Sequence, residues 1–525
     1  MRIRNLLSLL VGELVYPGRV SHLVDAPDAV RQTVAVQGGL LAGVQTSGGA
    51  AFLGIPYAAP PIGLLRWRAP EPPPAWEGER DATRTGSPAM QTIGHGRFVP
   101  VTGSEDCLYL NVYAPPGRPE GPDEGWPVMV FLHGGAFAVG ASDNYDPSLL
   151  ATEQRVVVVA PNYRMGALGF LAHPALAQEQ PHGGSGNFGL LDQQAALRWV
   201  RDNIAAFGGD PAQVTLFGES AGAWSTSYQL LSPGAQGLFH RAILQSGAAV
   251  DPLSTVSAAE AEADGLVFAE RLDAAGAGAF DRLRALSAGE IVRASAIRRG
   301  ILGPGSWGPV WGDAVIPHEP GRAFAEGGYQ AMPVIVGTNS HEGRLFGLGI
   351  RSQADAEARI RADWGRDGEA VLARYPARSR IEAQQAFADV VTESRFAHPA
   401  DRLRRLLAAR TPVYGYRFDD PAAPFSIPHP WAPTPLGAYH AAELTYVFGT
   451  RWALANPARF TSAQAALARR MRDSWGAFAR GEALRDWPAF SRDAPAVRVF
   501  APGGDTVETD FAERYGCDFW DRLSG

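Results

Sequence analysis

A chain of 525 residues, 46% hydrophobic and 19% charged, has the composition of an ordinary globular protein with material for a large core, and general disorder is excluded. The formal net charge of −7, with every one of the 47 basic residues an arginine, leaves no basic face for nucleic acid or for an anionic membrane surface. Two cysteines, Cys107 and Cys517, are too few for a disulfide framework; two free thiols are expected, a single bridge being the other arrangement.

The first residues, "MRIRNLLSLLVGELVYPG", join basic residues to a short apolar run, but Glu13 follows closely and no small-x-small cleavage site is evident. A cytoplasmic protein is expected, with secretion as the alternative. No run approaches the roughly 18 apolar residues of a membrane span. Short β-branched and aliphatic runs at Pro127 to His133, Arg155 to Pro161, Gln213 to Phe217, Arg241 to Gly247 and Met332 to Thr338 predict strands. Their near-continuous apolar character requires cover on both faces. Between them "LLDQQAALRWVRDNIAAFGG" sets Leu197, Val200, Ile204 and Phe207 on one helical stripe, closed by Gly-Gly. Strands separated by such helices predict βαβ units and a mostly parallel sheet. The Pro/Gly-rich stretch from Ala114 to Pro127 reads as a solvent loop. Beyond Gly343 helices dominate, Leu467, Met471, Trp475 and Phe478 sharing one face, and Pro412 to Phe418 is strand-like, which gives one interleaved fold rather than two domains.

Chemistry concentrates in "VTLFGESAGAWS", Val214 to Ser225. A strand ending at Phe217 and a helix beginning near Ala221 leave only a tight turn for Ser220, and glycines at 218 and 222 remove the Cβ atoms that would clash there. With 60 glycines in the chain, G-x-S-x-G alone carries little weight. A serine hydroxyl reacts only when a base takes its proton and a carboxylate orients that base. Behind a strand–turn–helix serine the partners follow in the order Ser, Asp/Glu, His. The best acid candidate is Glu342, after which come His398, His429 and His440. "FLHGGAFAVG" follows a strand with small residues, so the N–H groups of Gly134, Gly135 and Ala136, with Ala221 after the serine, are candidate donors to an oxyanion.

Ten segments, in order, resemble the type-B carboxylesterase (cholinesterase-like) family of α/β-hydrolases: "FLGIPYAAPPIGLLRWRAPEPP" at Phe52, "EDCLYLNVYAP" at Glu105, "HGGAF" at His133, "NYRMGALGF" at Asn162, "GNFGLLDQQAALRWV" at Gly186, "FGGDPAQVTLFGESAG" at Phe207, "RAILQSG" at Arg241, "MPVIVGTNSHEG" at Met332, "GAYHAAELTYVFG" at Gly437 and "FARGEALRDWPAF" at Phe478. The resemblance implies an α/β-hydrolase fold, a large mostly parallel central sheet flanked by helices, with a helix-rich C-terminal part contributing to the gorge. Residues 1–33 are expected to be an N-terminal extension and 34–525 a single domain. It implies Ser220 as nucleophile, Glu342 as triad acid, His440 as general base, and Gly135, Ala136 and Ala221 as oxyanion-hole donors. Glu219 is implied to steady the imidazole charge and Ser246 to stand behind the site. Arg66 with Glu105 and Arg164 with Asp192 are implied to be structural ion pairs.

Departures from the family pattern also carry expectations. Ala136 replaces the third glycine of the commoner oxyanion loop, a form met in small bacterial esterases, and its N–H survives. Ala441 follows the histidine where glycine is frequent. The cysteine that would pair with Cys107 is absent, "GSPAMQ" standing in its place, so the loop from about Ser87 to Ser104 is expected to be more mobile. "IGHGRFVPVTG" lacks a tryptophan, and the platform that holds a quaternary ammonium is not evident, which disfavours cholinesterase activity. His341 and His429 read as loop residues. The implied reaction is carboxylic-ester hydrolysis through an acyl-enzyme, on small to medium, largely apolar esters, with no metal or organic cofactor. Phe137, Trp224, Trp307, Trp311 and Phe346 are candidate pocket walls. Expected partners are a small-molecule ester, with no nucleic acid, no stable membrane insertion, and a monomer or small homo-oligomer. The alternatives are a lipase or amidase with the same triad, or a non-catalytic interaction module.

Overall fold

The computed structural model describes residues 21–523 except 93–99, 118, 120–124, 181–183, 252–254, 277, 296–306, 427–434 and 453. The stretch read for a signal, and His429, lie outside the described residues. One thirteen-stranded sheet organises the rest. Its parallel block runs in the order Val157–Pro161, Trp126–Leu132, Gly209–Glu219, Arg241–Gln245, Val334–Asn339, Val413–Phe418 and Val497–Phe500. Antiparallel strands extend it: Val30–Val36, Gly39–Thr46, Gly49–Pro56 and Tyr109–Ala114 on one side, Thr506–Glu508 on the other, and the thirteenth strand, Glu79–Asp81, pairs in parallel with Gly39–Thr46. A large mostly parallel sheet flanked by helices is thus the architecture, as the apolar runs imply.

The parallel strands are apolar throughout because alternate residues serve different faces. Val128, Val130 and Leu132 join one buried cluster while Met129 and Phe131 join the other; Leu216 and Phe217 divide likewise, as do Leu244 and Ile243. The Phe188–Asn203 helix buries Leu197 and Val200, then tightens to a 3₁₀ turn over Ile204–Phe207 that Gly208 ends in a left-handed conformation. The Ser462–Ala479 helix starts in a capping box at Thr461 and seats Leu467, Met471, Trp475 and Phe478 on the second face. Both ion pairs form as two-pronged contacts, Arg66 to Glu105 at 2.6 and 2.6 Å and Arg164 to Asp192 at 2.8 and 2.7 Å.

Cys107 and Cys517 are free and buried. The loop near Cys107 is fastened by other means than a bridge. Gln91–Thr92 pairs antiparallel with Val101–Thr102, and the Gln91 amide bonds both ways to Gly140, accepting its N–H at 2.8 Å and donating to its carbonyl at 3.0 Å. The loop's described ends are thus tied to one another and to Gly140.

Candidate active site

Ser220 sits where the Gly209–Glu219 strand meets the Ala221–Leu231 helix, with φ 55° and ψ −122°. That left-handed conformation is costly for a non-glycine residue and is held by its neighbours. A Cβ on Gly218 would stand 2.4 Å from the Gly222 backbone, and one on Gly222 would stand 1.8 Å from Leu132 O. Both glycines are therefore required by contact. The Ser220 N–H donates to Gln245 O at 2.9 Å, tying the turn to the neighbouring strand.

The loop after His133 leans on this turn. A Cβ on Gly134 would lie 3.0 Å from the Ser220 Cβ, so the loop carrying Gly135 and Ala136 reaches the serine directly. Gly135 (φ 110°) and Ala136 (φ 55°) turn the chain back, and Gly135 O accepts the N–H groups of Ala138 and Val139 at 3.0 Å each. Among the described residues the N–H groups of Gly135 and Ala136 have no protein acceptor. That is how donors reserved for a ligand look. His133 braces the loop as a neutral ring: it stacks on Tyr163 with centroids 4.4 Å apart, and burial pushes it down to about 4.

The structure brings Glu342 and His440 together. His440 Nδ1 lies 2.7 Å from Glu342 Oε2, both residues buried. A carboxylate only accepts, so Nδ1 carries the hydrogen and Nε2 is the basic nitrogen. Glu342 Oε1 accepts the Asn339 N–H at 2.7 Å. On the other edge of the ring, Glu219 Oε1 is 3.2 Å from Nε2 yet makes no hydrogen bond. The contact is one of charge, and Glu219 is the residue next to Ser220. Burial lowers the imidazole pKa, but Glu219 and Glu342 outweigh it and raise His440 to about 9. Burial also drives the Glu219 carboxyl well above the usual carboxylate range.

Sequence reasoning missed two groups here. Glu443, three residues beyond His440, is buried and pushed up to about 7 by burial and by Glu342; Asn339 Nδ2 and Gln245 Nε2 donate to it at 2.6 and 3.1 Å. The spacing in "YHAAEL" was the only signal available. Phe396 is the second, its ring centroid 4.7 Å from that of His440. Of the candidate walls, Phe346 lies 5.2 Å from His440 and 6.0 Å from Phe396, and Trp224 lies 6.2 Å from Phe396. Phe137 packs edge-on against Phe170. Trp307 packs on Phe268 and donates to Ser295 O, and Trp311 belongs to a two-stranded ribbon with Val256–Ser257; among the described residues no ring contact joins either to the His440 cluster. Ser246 is fully buried behind Ser220, its N–H on Gly337 O and its hydroxyl unpartnered. His341 accepts the Ala438 N–H through Nδ1, a loop role. Among the described residues no group of His, Cys, Asp and Glu is arranged to hold a metal ion, and no helix is long and apolar enough to cross a membrane.

A family sequence model described as "Carboxylesterase family" matches residues 30–513. The fumonisin B1 esterase of Sphingopyxis macrogoltabida is 39% identical over 84% of this chain and 78% of its own length. The para-nitrobenzyl esterase of Bacillus subtilis (strain 168) is 37% identical over 91% of this chain and 96% of its own. A solved PNB esterase structure superposes with a TM-score of 0.77 at 34% identity, covering 93% of this chain and 99% of that one.

Proposed function

The chain belongs to the carboxylesterase family and is a carboxylic ester hydrolase, and on that premise we propose that hydrolysis proceeds through a Ser220–His440–Glu342 triad and an acyl-enzyme. His440 Nε2 takes the Ser220 proton as Oγ attacks the ester carbonyl; the oxyanion is met by the N–H groups of Gly135, Ala136 and Ala221; His440 then passes its proton to the departing alcohol. Water repeats the sequence on the acyl-serine and releases the acid. Glu342 holds the tautomer and balances the imidazolium, as Glu219 does from the other edge. The substrates are small to medium, largely apolar esters, an assignment supported by the rings of Trp224, Phe346 and Phe396 around the base.

The observation that carries this reading is the 2.7 Å contact between His440 Nδ1 and Glu342, two residues 98 positions apart, with the ring's other nitrogen turned toward the residue beside Ser220. Fluorophosphonate labelling and turnover of p-nitrophenyl esters of rising acyl length, on the native enzyme and on Ser220→Ala, test it. Ser220→Ala is expected to lose labelling and about 10⁴-fold or more in kcat. An unaltered rate in that variant refutes the assignment.

A further inference from the structure

The helical run from Arg380 to Leu407 is not uniform. It is α-helical over Arg380–Val391, widens into a π turn over Thr392–Ala397, and resumes over His398–Leu407. Pro399 accounts for the widening: it has no N–H to continue the ladder, and its ring collides with the carbonyl four residues back. Turns of this kind concentrate at functional sites.

One side chain of this turn reaches the residue after Glu342, and another reaches His440. Thr392 Oγ1 accepts the N–H of Gly343, the residue after Glu342, at 2.9 Å, and donates its own hydrogen to Ala388 O at 2.8 Å. Four residues on, Phe396 lies against the His440 ring. Gly343 begins the short Gly343–Gly347 helix, so its N–H has no partner within that helix and depends on Thr392. Its backbone also rests on the neighbouring helix, since a Cβ there would stand 1.9 Å from Ala388 O. The C-terminal helix Cys517–Leu523 holds the turn from behind: Trp520 Nε1 donates to Glu393 Oε2 at 3.1 Å, and Asp521 pairs with His398 at 2.9 Å.

We propose that Thr392 is a positioning residue for ester hydrolysis: its hydroxyl, presented by the π turn, fixes the backbone beside Glu342 and so sets the carboxylate against His440. The proposal rests on the triad reading above. A displaced Gly343 moves Glu342, and a carboxylate no longer on Nδ1 leaves the imidazole in the wrong tautomer and less basic.

Thr392→Val keeps the branched shape and removes the acceptor, while Thr392→Ser keeps the hydroxyl. With p-nitrophenyl butyrate, Thr392→Val is expected to lose about tenfold in kcat with KM within about twofold, and the acid limb of its kcat/KM profile is expected to shift to lower pH. Thr392→Ser is expected to recover the native values. Wild-type kcat and pH profile in Thr392→Val, or a Thr392→Ser as impaired as the valine variant, overturns the proposal. Thermal melts accompany each variant, and Thr392→Ala takes the same readings if the valine variant does not fold. Ser220→Ala and Glu342→Gln run alongside: activity in those means that the triad reading has failed, whereas their inactivity beside a wild-type Thr392→Val removes the role of Thr392 alone.

Discussion

The two sides of the site are built on different principles. Around Ser220 the parts are backbone against backbone: Gly222 on the Leu132 carbonyl, Gly218 on Gly222, Gly134 on the Ser220 Cβ. Around His440 the parts are side chains brought from far along the chain. Glu342 lies 98 residues away, and Glu443 bonds to Asn339 and Gln245 across 104 and 198. Backbone contacts at these distances have no slack, so that side should fail by steric collision. Hydrogen bonds between side chains can be weakened one at a time, so the other side should fail by degrees and should respond to protons.

The sharpest way to break this contrast is Gly222→Ala. A methyl group 1.8 Å from Leu132 O cannot be fitted without parting the Ala221–Leu231 helix from the Trp126–Leu132 strand, and a cost of about 3 kcal/mol or more is expected, read as a lowered melting temperature with activity lost. A variant that melts like the native protein would show that the turn has room. On the other side, Asn339→Leu removes the 2.6 Å donor from Glu443 and the 2.8 Å donor from Tyr439 O. A loss of about 1–3 kcal/mol in denaturant unfolding is expected, with measurable activity remaining. Complete inactivation would place Asn339 with the glycines.

The smallest expected effect is a shift in pH dependence. His440 must be neutral to act as a base, so with its pKa raised to about 9, kcat/KM should fall as pH drops below that value. Glu219 raises this pKa by favouring the imidazolium. In Glu219→Gln the proton is lost more easily, and the acid limb should move to lower pH by about one unit. A limb that stays in place would mean that Glu219 carries no charge in the resting enzyme.

This division also explains what could be read from the chain. Six of the seven parallel strands were legible because burial on both faces leaves an unbroken apolar run; the Gln213 to Phe217 run is the core of an eleven-residue strand, Gly209–Glu219, whose first half is too polar to signal itself, and the short Val497–Phe500 strand was not read. The serine turn was legible because its glycines are forced by contact. Glu443, Phe396 and Thr392 were not, since each acts through a partner that only the folded topology supplies. Pro399 inside a helical stretch was the one local sign of the π turn. Trp307 and Trp311 are half-buried, and the presence of a large aromatic residue in a sequence does not say which cavity it faces.

The fastening of Gln91 to Gly140 has a chemical corollary. A sulfur bridge at this point would make the anchoring of the loop depend on the redox poise of its surroundings. An amide that bonds both ways to one residue has no such dependence, and Cys107, buried nearby with its thiol pushed far from ionisation, offers an oxidant or an alkylating agent no thiolate to attack. The described ends of this loop are held by bonds that neither glutathione nor peroxide can exchange.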